Sequence, residues 1–416
     1  METLKNYLTT VMQLLALLLL ACFQNTFGQN VERAAQSSPP QAALSYVQRG
    51  NSWFTKGDLR RAITDYDTAL TFDPRLVAAY LYRARAHERK RELSAALADY
   101  DRALTLEPNH TEAHLCRGVA RYSAGDLDGA IADFTQTLAL KPRYAKALGD
   151  RCLVKVAKAD LDGAQADCTR AIEIEPRLAD AWNNLGVVHL RQGNLAEAFT
   201  HFTRAIQLDS RTAGPWVNRG IVRSLRGEND EGIKDYTKAI ELGPDRYEVW
   251  LNRGMARTET GDLDGALADF SRAVELNPDA DIFSRRGVTR FRKGDLDGAI
   301  ADYTHAIQID PAWALNFCNR GTARRQKKDL DGAIVDAARA IELDPALAEA
   351  WLCRALALEG KGELSSALVD CDRAITLNPS IANAYLLRGS LRLRQGKERE
   401  ADQDLAVYAK LKEIKK

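Results

Sequence analysis

Histidine side chains are the first candidates for acid–base or metal chemistry in this 416-residue sequence, because imidazole titrates near neutral pH and binds transition metals. The six histidines are scattered, at His87, His110, His114, His189, His201 and His305. His110 and His114 have the i, i+4 spacing of a helical metal site, but His110 is expected in a loop. No HExxH, G-x-S-x-G or phosphate-loop pattern is present. The sequence therefore predicts no metal, no cofactor and no catalytic centre.

Charged residues are numerous but balanced. Lys and Arg number 58 and Asp and Glu number 57, so the chain has no excess of positive charge to attract nucleic acid or anionic lipid. The acids recur at fixed spacings along the chain, which argues against a unique catalytic carboxylate pair. We therefore expect a non-enzymatic protein whose partner is not a nucleic acid.

Cysteines are the remaining reactive side chains, and their spacing does not fit a zinc site. Cys22 lies in an apolar N-terminal segment, and six others lie in the repeated region described next. Four of these six have no obvious mate in the sequence: Cys116, Cys318, Cys353 and Cys371.

The elements that must position all these side chains are helices in an internal repeat. Prolines recur every 34 residues, with one step of 33, and Ser210 fills the one missing place. The register predicts eleven units: 41–74, 75–108, 109–142, 143–176, 177–210, 211–244, 245–278, 279–311, 312–345, 346–379 and 380–413. With the proline as position 32, helical spacing covers about positions 2–14 (helix A) and 17–31 (helix B). A Gly-Asp turn such as Gly261-Asp262 usually separates the two helices.

This pattern resembles the tetratricopeptide repeat (TPR) family over about residues 41–413. The family prefers a large residue at position 4, small residues at 8, 20 and 27, an aromatic at 24 and proline at 32. One unit supplies all of them, with Trp250, Gly254, Ala266, Phe270, Ala273 and Pro278. The resemblance implies an all-α, right-handed superhelical solenoid of eleven helix-turn-helix repeats, in which stacking buries the apolar faces and leaves a concave groove.

Two charge patterns follow from comparing the units with one another. Position 7 is arginine in ten units and position 23 is aspartate in the same ten, as in Arg49/Asp65 and Arg253/Asp269. The exceptional unit has lost both, and this joint loss predicts an ion pair between helices A and B of one repeat. A basic residue at position 11 similarly accompanies aspartate at position 18, as in Arg257/Asp264, and predicts a second pair. The alternative is that both patterns are solvated faces of amphipathic helices.

The resemblance also implies a binding surface and a disulfide. The family's groove is lined by helix A positions 2, 5, 6, 9 and 12. Asparagines at position 6 and apolar residues at 5 and 9 resemble an asparagine ladder that grips a peptide backbone: Asn184, Asn218, Asn252, Asn319, Val187, Val217, Ile221, Leu251 and Met255. The alternative is that asparagine is merely tolerated there. Positions 8 and 24 meet in this family, so Cys152 and Cys168 either form a disulfide or remain buried thiols.

The N-terminal segment predicts export. Lys5 precedes an apolar run from Val11 to Phe23, which is too short to span a bilayer and is typical of a signal peptide. Cleavage before Gln29 would make residues 1–28 the signal, whereas Leu19-Leu20-Ala21-Cys22 resembles a lipobox and would make it 1–21 with a lipidated Cys22. Residues 29–40 are expected to be a flexible linker. We expect a periplasmic, envelope-anchored or secreted protein that meets the membrane only through its signal or a lipid.

These features together predict a scaffold of the envelope or secreted space that binds an extended segment or a protein partner in its groove. A protein or peptide partner is favoured over a small-molecule ligand. Two alternatives remain open: a periplasmic glycan- or solute-binding module, and the regulatory arm of an envelope enzyme complex.

Overall fold

Helical spacing of apolar and small residues produces helices along the whole described chain. A computed structural model describes residues 39–413, which form 22 α-helices and contain no strand. The expected signal peptide, Cys22 and residues 29–38 of the expected linker lie outside these residues. The first helix begins at Pro39, inside the segment expected to be a linker, because proline suits the first turn of a helix. None of the helices within residues 39–413 is both long and apolar enough to cross a membrane.

The described residues form two compact units, 39–208 (unit 1) and 209–413 (unit 2). Unit 1 contains α1 Pro39–Thr55, α2 Leu59–Phe72, α3 Val77–Arg89, α4 Leu93–Leu106, α5 Thr111–Ser123, α6 Leu127–Leu140, α7 Ala145–Ala157, α8 Leu161–Ile174, α9 Ala179–Arg191 and α10 Leu195–Leu208. Unit 2 contains α11 Ala213–Leu225, α12 Asn229–Leu242, α13 Tyr247–Thr260, α14 Leu263–Leu276, α15 Ala280–Lys293, α16 Leu296–Ile309, α17 Ala314–Gln326, α18 Leu330–Leu343, α19 Ala348–Lys361, α20 Leu364–Leu377, α21 Ala382–Arg394 and α22 Glu398–Glu413.

Odd-numbered helices are the A helices and even-numbered helices the B helices of repeats 1 to 11. Within each unit, every hairpin packs against the next one in chain order. The expectation of an all-α repeat fold is therefore confirmed, while the handedness of a superhelix stays a prediction.

Small residues let the two helices of a hairpin approach closely. Ala266, at position 20 of repeat 7, is fully buried. At position 8, a Cβ built on Gly254 would lie only 2.8 Å from the Phe270 Cε1 atom, so any larger residue would displace the ring. The turn between the helices depends on Gly261, whose φ of 85° is left-handed, and on Asp262, whose side chain accepts from the Gly265 amide at 3.0 Å.

An arginine on helix A and an aspartate on helix B join the two helices in ten repeats. Arg49 Nη2 lies 2.6 Å from Asp65, and Arg253 Nη2 lies 2.7 Å from Asp269. Both pairs are bidentate, because Nε donates to the second carboxylate oxygen. Positions 7 and 23 therefore pair within one repeat.

The same arginine also reaches the preceding repeat. Arg253 Nη1 donates to Thr237 Oγ1 at 3.0 Å, and the guanidinium carbon lies 5.0 Å from the centre of the Trp250 ring. The Trp250 indole donates to the Pro244 carbonyl oxygen at 2.8 Å. One arginine therefore links three helices and helps to set the spacing between neighbouring hairpins, which the sequence pattern did not predict.

The predicted pair between Arg257 and Asp264 is wrong. Arg257 Nη1 donates instead to Asp269 at 3.0 Å and to the Gly265 carbonyl oxygen at 3.2 Å, so two arginines share one carboxylate. The Asp264 side chain is 81% exposed and pairs with Lys293 of the next repeat. Arg257 thus binds the carbonyl of Gly265, the residue that follows Asp264 in the first turn of α14, and does not meet the Asp264 side chain.

Repeat 5 is the unit without the arginine–aspartate pair. Leu185 replaces the arginine and is buried, and His201 replaces the aspartate. The His201 ring centre lies 5.1 Å from that of His189 and 5.5 Å from that of Trp182. Burial, and secondarily His189, lowers the pKa of His201, which keeps the imidazole neutral at neutral pH. Apolar and aromatic packing thus takes the place of a buried ion pair.

A disulfide joins the two helices of repeat 4. Cys152 and Cys168 are bonded, and their Cα atoms lie 5.6 Å apart. These cysteines occupy the positions that Gly254 and Phe270 hold in repeat 7. The disulfide therefore lies where the Phe270 ring packs against Gly254 in repeat 7.

Candidate functional site

A pocket of about 640 Å³ lies in unit 2 along the A helices α11, α13, α15 and α17. Four of the predicted groove residues line it together: Ile221, Asn252, Met255 and Asn319. Its volume falls within the roughly 300–1,000 Å³ that is usual for ligand pockets. The structure therefore brings part of the predicted surface into one site.

Five predicted groove residues do not line this pocket: Asn184, Val187, Asn218, Val217 and Leu251. Asn184 and Val187 belong to unit 1. The Asn184 side chain is buried, and its Nδ2 donates to the Gly149 carbonyl oxygen at 3.0 Å, which holds α9 against α7. Val217 is buried in the core. Identical repeat positions therefore do different work in different repeats.

Asn252 and Asn319 present amide groups to the pocket from α13 and α17. Both side chains are half-buried, and neither makes a hydrogen bond with another residue in the range 39–413. An amide offers both a donor and an acceptor, which is what a peptide backbone requires. These two groups are available to a ligand.

Arg285 lies on α15, between the two helices that carry these asparagines, and sequence analysis missed it. Its Nε donates to Asp281 Oδ2 at 2.7 Å, and its other guanidinium nitrogens make no hydrogen bond with residues 39–413. Arg292 is exposed at the same site, and the lining also contains Glu259. Two arginines and two acids give the lining no net formal charge. Arg285 could have been found from the sequence, because it holds position 6 of repeat 8, between Asn252 of repeat 7 and Asn319 of repeat 9.

Apolar side chains form the rest of the lining. Leu225 is 61% exposed, Leu315 is 38% exposed and Met255 is 37% exposed, although all three are apolar. Trp313 adds an aromatic surface beside Leu315. Large apolar side chains grouped in a concave surface mark a binding site rather than a packed core.

Hydroxyl groups hold the walls of the pocket together. Thr289 is fully buried and lies 3.4 Å from Thr258, measured between the Oγ1 atoms, which ties α15 to α13. Ser224 Oγ lies 3.4 Å from the Tyr236 phenol oxygen. Burial raises the pKa of Tyr236 to about 12, so this phenol keeps its proton at physiological pH and remains a donor.

A smaller pocket of about 410 Å³ lies in unit 1 around Arg85, Glu112 and Cys116. Arg85 forms an ion pair with Glu112, and its Nη2 donates to Cys116 Sγ at 3.8 Å. Burial raises the pKa of the Cys116 thiol, although Arg85 opposes the shift. Because Arg85, Glu112 and Cys116 bind one another, this pocket has fewer polar groups available to a ligand than the unit 2 pocket has.

Two histidines, His110 and His114, have structural partners. His110 caps α5 by accepting from the Ala113 amide at 3.1 Å. His114 Nδ1 lies 3.1 Å from Asp133, and its Nε2 lies 2.8 Å from the Pro108 carbonyl oxygen. Within the described chain, no three His, Cys, Asp or Glu side chains are grouped to hold a metal ion.

Sequence models of the tetratricopeptide repeat match this chain. One matches residues 177–249, and a second matches residues 47–110, 81–145, 225–281 and 259–312. Together these matches cover more than half of the sequence. The chain belongs to the tetratricopeptide repeat family. TPR proteins are generally non-enzymatic scaffolds that bind protein or peptide partners.

Several solved structures are similar to this chain. The Cut9–Hcn1 hetero-tetramer of APC/C is similar with a TM-score of 0.51 and 19% identity over 84% of this chain and 76% of that chain. A TPR protein from Parabacteroides merdae has 20% identity over 60% and 98% of the two chains, with a TM-score of 0.45. YrrB, a TPR protein with an unusual peptide-binding site, has 25% identity over 47% and 97%, with a TM-score of 0.42. No curated protein sequence matches this TPR chain.

Proposed function

We propose that this TPR protein is a non-enzymatic scaffold of the cell envelope or secreted space that binds an extended segment of a protein partner in the unit 2 pocket. The observation that carries the proposal is the pair of unbonded amides, Asn252 and Asn319, on either side of an apolar pocket.

An extended peptide fits this combination of groups. Its backbone presents a donor and an acceptor at every residue, and its side chains alternate between two faces. The amides of Asn252 and Asn319 match the backbone, while Leu225, Met255 and Leu315 match apolar side chains of one face. Arg285 offers donors to a backbone carbonyl or a carboxylate of the same segment.

Export of the protein is supported by the disulfide between Cys152 and Cys168, because such bonds persist mainly in oxidising compartments. We propose that the N-terminal segment is either cleaved before Gln29 or processed to a lipidated Cys22. The intact mass of the protein isolated from its host membrane and periplasm distinguishes the two forms. An uncleaved chain in the cytosol would contradict export.

The binding proposal is tested by selecting peptides from a display library on the full-length protein. Asn252→Ala and Asn319→Ala should each weaken a selected peptide about tenfold, the effect of about 1.4 kcal/mol from lost hydrogen bonds. The matched control is Asn277→Ala, because Asn277 ends α14 outside the pocket. Equal affinity of the wild-type protein and the pocket variants would refute the proposal.

Glycan arrays distinguish the main alternative. Binding of an oligosaccharide, abolished by Asn252→Ala and with no peptide selected, would favour a glycan-binding module at the same pocket. We expect the array to show no such ligand.

A further inference from the structure

Two buried thiols lie side by side on consecutive A helices of unit 2. Cys318 on α17 is 5% exposed and Cys353 on α19 is 4% exposed. Cys353 Sγ lies 3.6 Å from the Cys318 carbonyl oxygen and 3.5 Å from Thr322 Oγ1. The sequence suggested no mate for either, because they stand 35 residues apart in different repeats.

Small residues in repeat 9 bring these thiols together. Position 24 is Ala337 instead of an aromatic residue, so no ring lies against Gly321 of α17. In repeat 7 the Phe270 ring fills the equivalent space beside Gly254. In repeat 9 a Cβ on Gly321 would meet Cys353 Sγ at 3.3 Å. The side chain of Cys353, from the next repeat, thus fills the space that Ala337 leaves open.

We propose that Cys318 and Cys353 form a second disulfide bond, which ties repeat 9 to repeat 10. Cα atoms of α17 and α19 come within 8 Å of each other, and Cys353 Sγ lies 3.6 Å from the backbone of Cys318, so the two cysteines are in direct contact. The bond differs in kind from that of Cys152 and Cys168, which lies within one repeat.

The bond forms by exchange with an external disulfide such as oxidised glutathione. The Cys353 thiol gives up its proton, and its sulfur attacks the external disulfide and displaces one glutathione thiolate. The Cys318 thiol then gives up its proton, and its sulfur attacks Cys353 Sγ and displaces the second glutathione thiolate. The two protein thiols are oxidised, the external disulfide is reduced, and the two protons end on the two glutathione thiols.

Burial of the two sulfurs determines when this exchange can take place. Both sulfurs are buried in the folded protein, so the reaction takes place while the repeats are assembling.

The bond would act on the wall of the unit 2 pocket. Asn319 follows Cys318 directly, and Leu315 lies almost one turn before it; both line the pocket. A covalent link from Cys318 to α19 holds this segment of α17 in place. The inference does not depend on which ligand the pocket binds.

The test is a disulfide map of refolded full-length protein. The chain is unfolded with a reductant and refolded at several ratios of oxidised to reduced glutathione, ending with oxidised glutathione alone. Free thiols are alkylated, and peptides are mapped without reduction. We expect a cross-linked peptide pair that contains Cys318 and Cys353, together with the Cys152–Cys168 pair as an internal control.

Variants check the assignment. Cys318→Ala should abolish the cross-linked pair and leave Cys353 either alkylated or bonded to glutathione, whereas the control Cys116→Ala should leave the pair unchanged. The wild-type map decides the question even if a variant does not fold. Alkylation of both Cys318 and Cys353 at every ratio, or bonding of either one to Cys116 or Cys371, would overturn the proposal.

Discussion

In repeat 7 the aspartate at position 23 is an acceptor shared by two arginines. Asp269 is 1% exposed and accepts from both Arg253 and Arg257. Removing the carboxylate would leave two buried or half-buried guanidinium groups without their main acceptor. Removing Arg257 alone would leave the bidentate bond to Arg253 intact, so the three side chains are not equivalent.

Asp269→Leu is therefore expected to lower the free energy of unfolding by about 3–5 kcal/mol, the usual cost of breaking a buried ion pair. Arg257→Leu should cost less. Asp264→Asn should change stability by at most about 0.5 kcal/mol, because that carboxylate is on the surface. Urea denaturation of the full-length protein measures all three. If Arg253→Leu and Asp269→Leu lose stability additively in the double variant, the pair makes no contribution.

Asp150 shows the opposite situation, a buried carboxylate oxygen without a hydrogen-bond partner. Burial raises its pKa from 3.8 to about 6; Lys146 opposes the shift and Asp180 adds to it. Between these two pH values the folded protein binds more protons than the unfolded chain. Stability therefore falls as pH rises through this window, and the full cost is present above pH 6.

Asp150→Asn removes that charge and keeps the shape of the side chain. It is expected to raise the free energy of unfolding by about 1–3 kcal/mol near pH 7.5, and the gain should shrink towards pH 4. Urea denaturation at the two pH values measures the difference. An equal gain at both would show that the ionised carboxylate is not the cause.

The sequence predicted one of the two charge patterns correctly, for a physical reason. Arg253 and Asp269 can be matched from sequence because each is costly without the other, so repeat 5 lost both. No such cost links the residues at positions 11 and 18 to each other. Asp264 is exposed and pairs with Lys293 of the next repeat rather than with Arg257.

At the scale of the helical hairpin, the turn between helices A and B needs one residue in the left-handed conformation. Glycine provides it in eight repeats, but Arg91, Ala159 and Lys328 provide it in three, with φ of 63°, 62° and 70°. A residue with a Cβ is strained in this region by about 1–2 kcal/mol. These three turns therefore store strain that glycine would release.

Ala159→Gly is expected to raise the free energy of unfolding by about 0.5–1 kcal/mol, because strain in the native turn outweighs the added freedom of the unfolded chain. The matched control is Ala166→Gly at an exposed position inside α8, which should cost about 1 kcal/mol. The same Ala→Gly change should therefore raise the free energy of unfolding at position 159 and lower it at position 166. A loss of stability in both variants would contradict the assigned turn conformation.

The hairpins were predictable because the proline spacing, the turn residues and the small residues at position 20 all give the same register. Contacts between neighbouring A helices could not be predicted in this way. Cys353 reaches Cys318 only because repeat 9 has Ala337 where other repeats have an aromatic residue. Asn184 reaches the Gly149 backbone of repeat 4, in which Cys168 stands in place of that aromatic residue. Such contacts depend on a residue in another helix, which a comparison of one position at a time does not include.

At the scale of the whole molecule, the pocket exists because four repeats of unit 2 each contribute a few side chains to one surface. Sequence comparison predicted Asn252 and Asn319 as available amides but could not separate them from Asn184. All three hold position 6, yet only Asn184 bonds to the preceding A helix. Arg285 holds the same position in repeat 8, and a pattern defined by asparagine does not include it.

Photo-crosslinking measures directly whether a peptide occupies this surface. A photoreactive side chain is placed at position 255, in the pocket, or at position 369, where Val369 is 65% exposed on the B helix α20. A peptide selected on the wild-type protein should cross-link at position 255 and not at position 369. Cross-linking at position 369 with none at position 255 would contradict binding along the A helices.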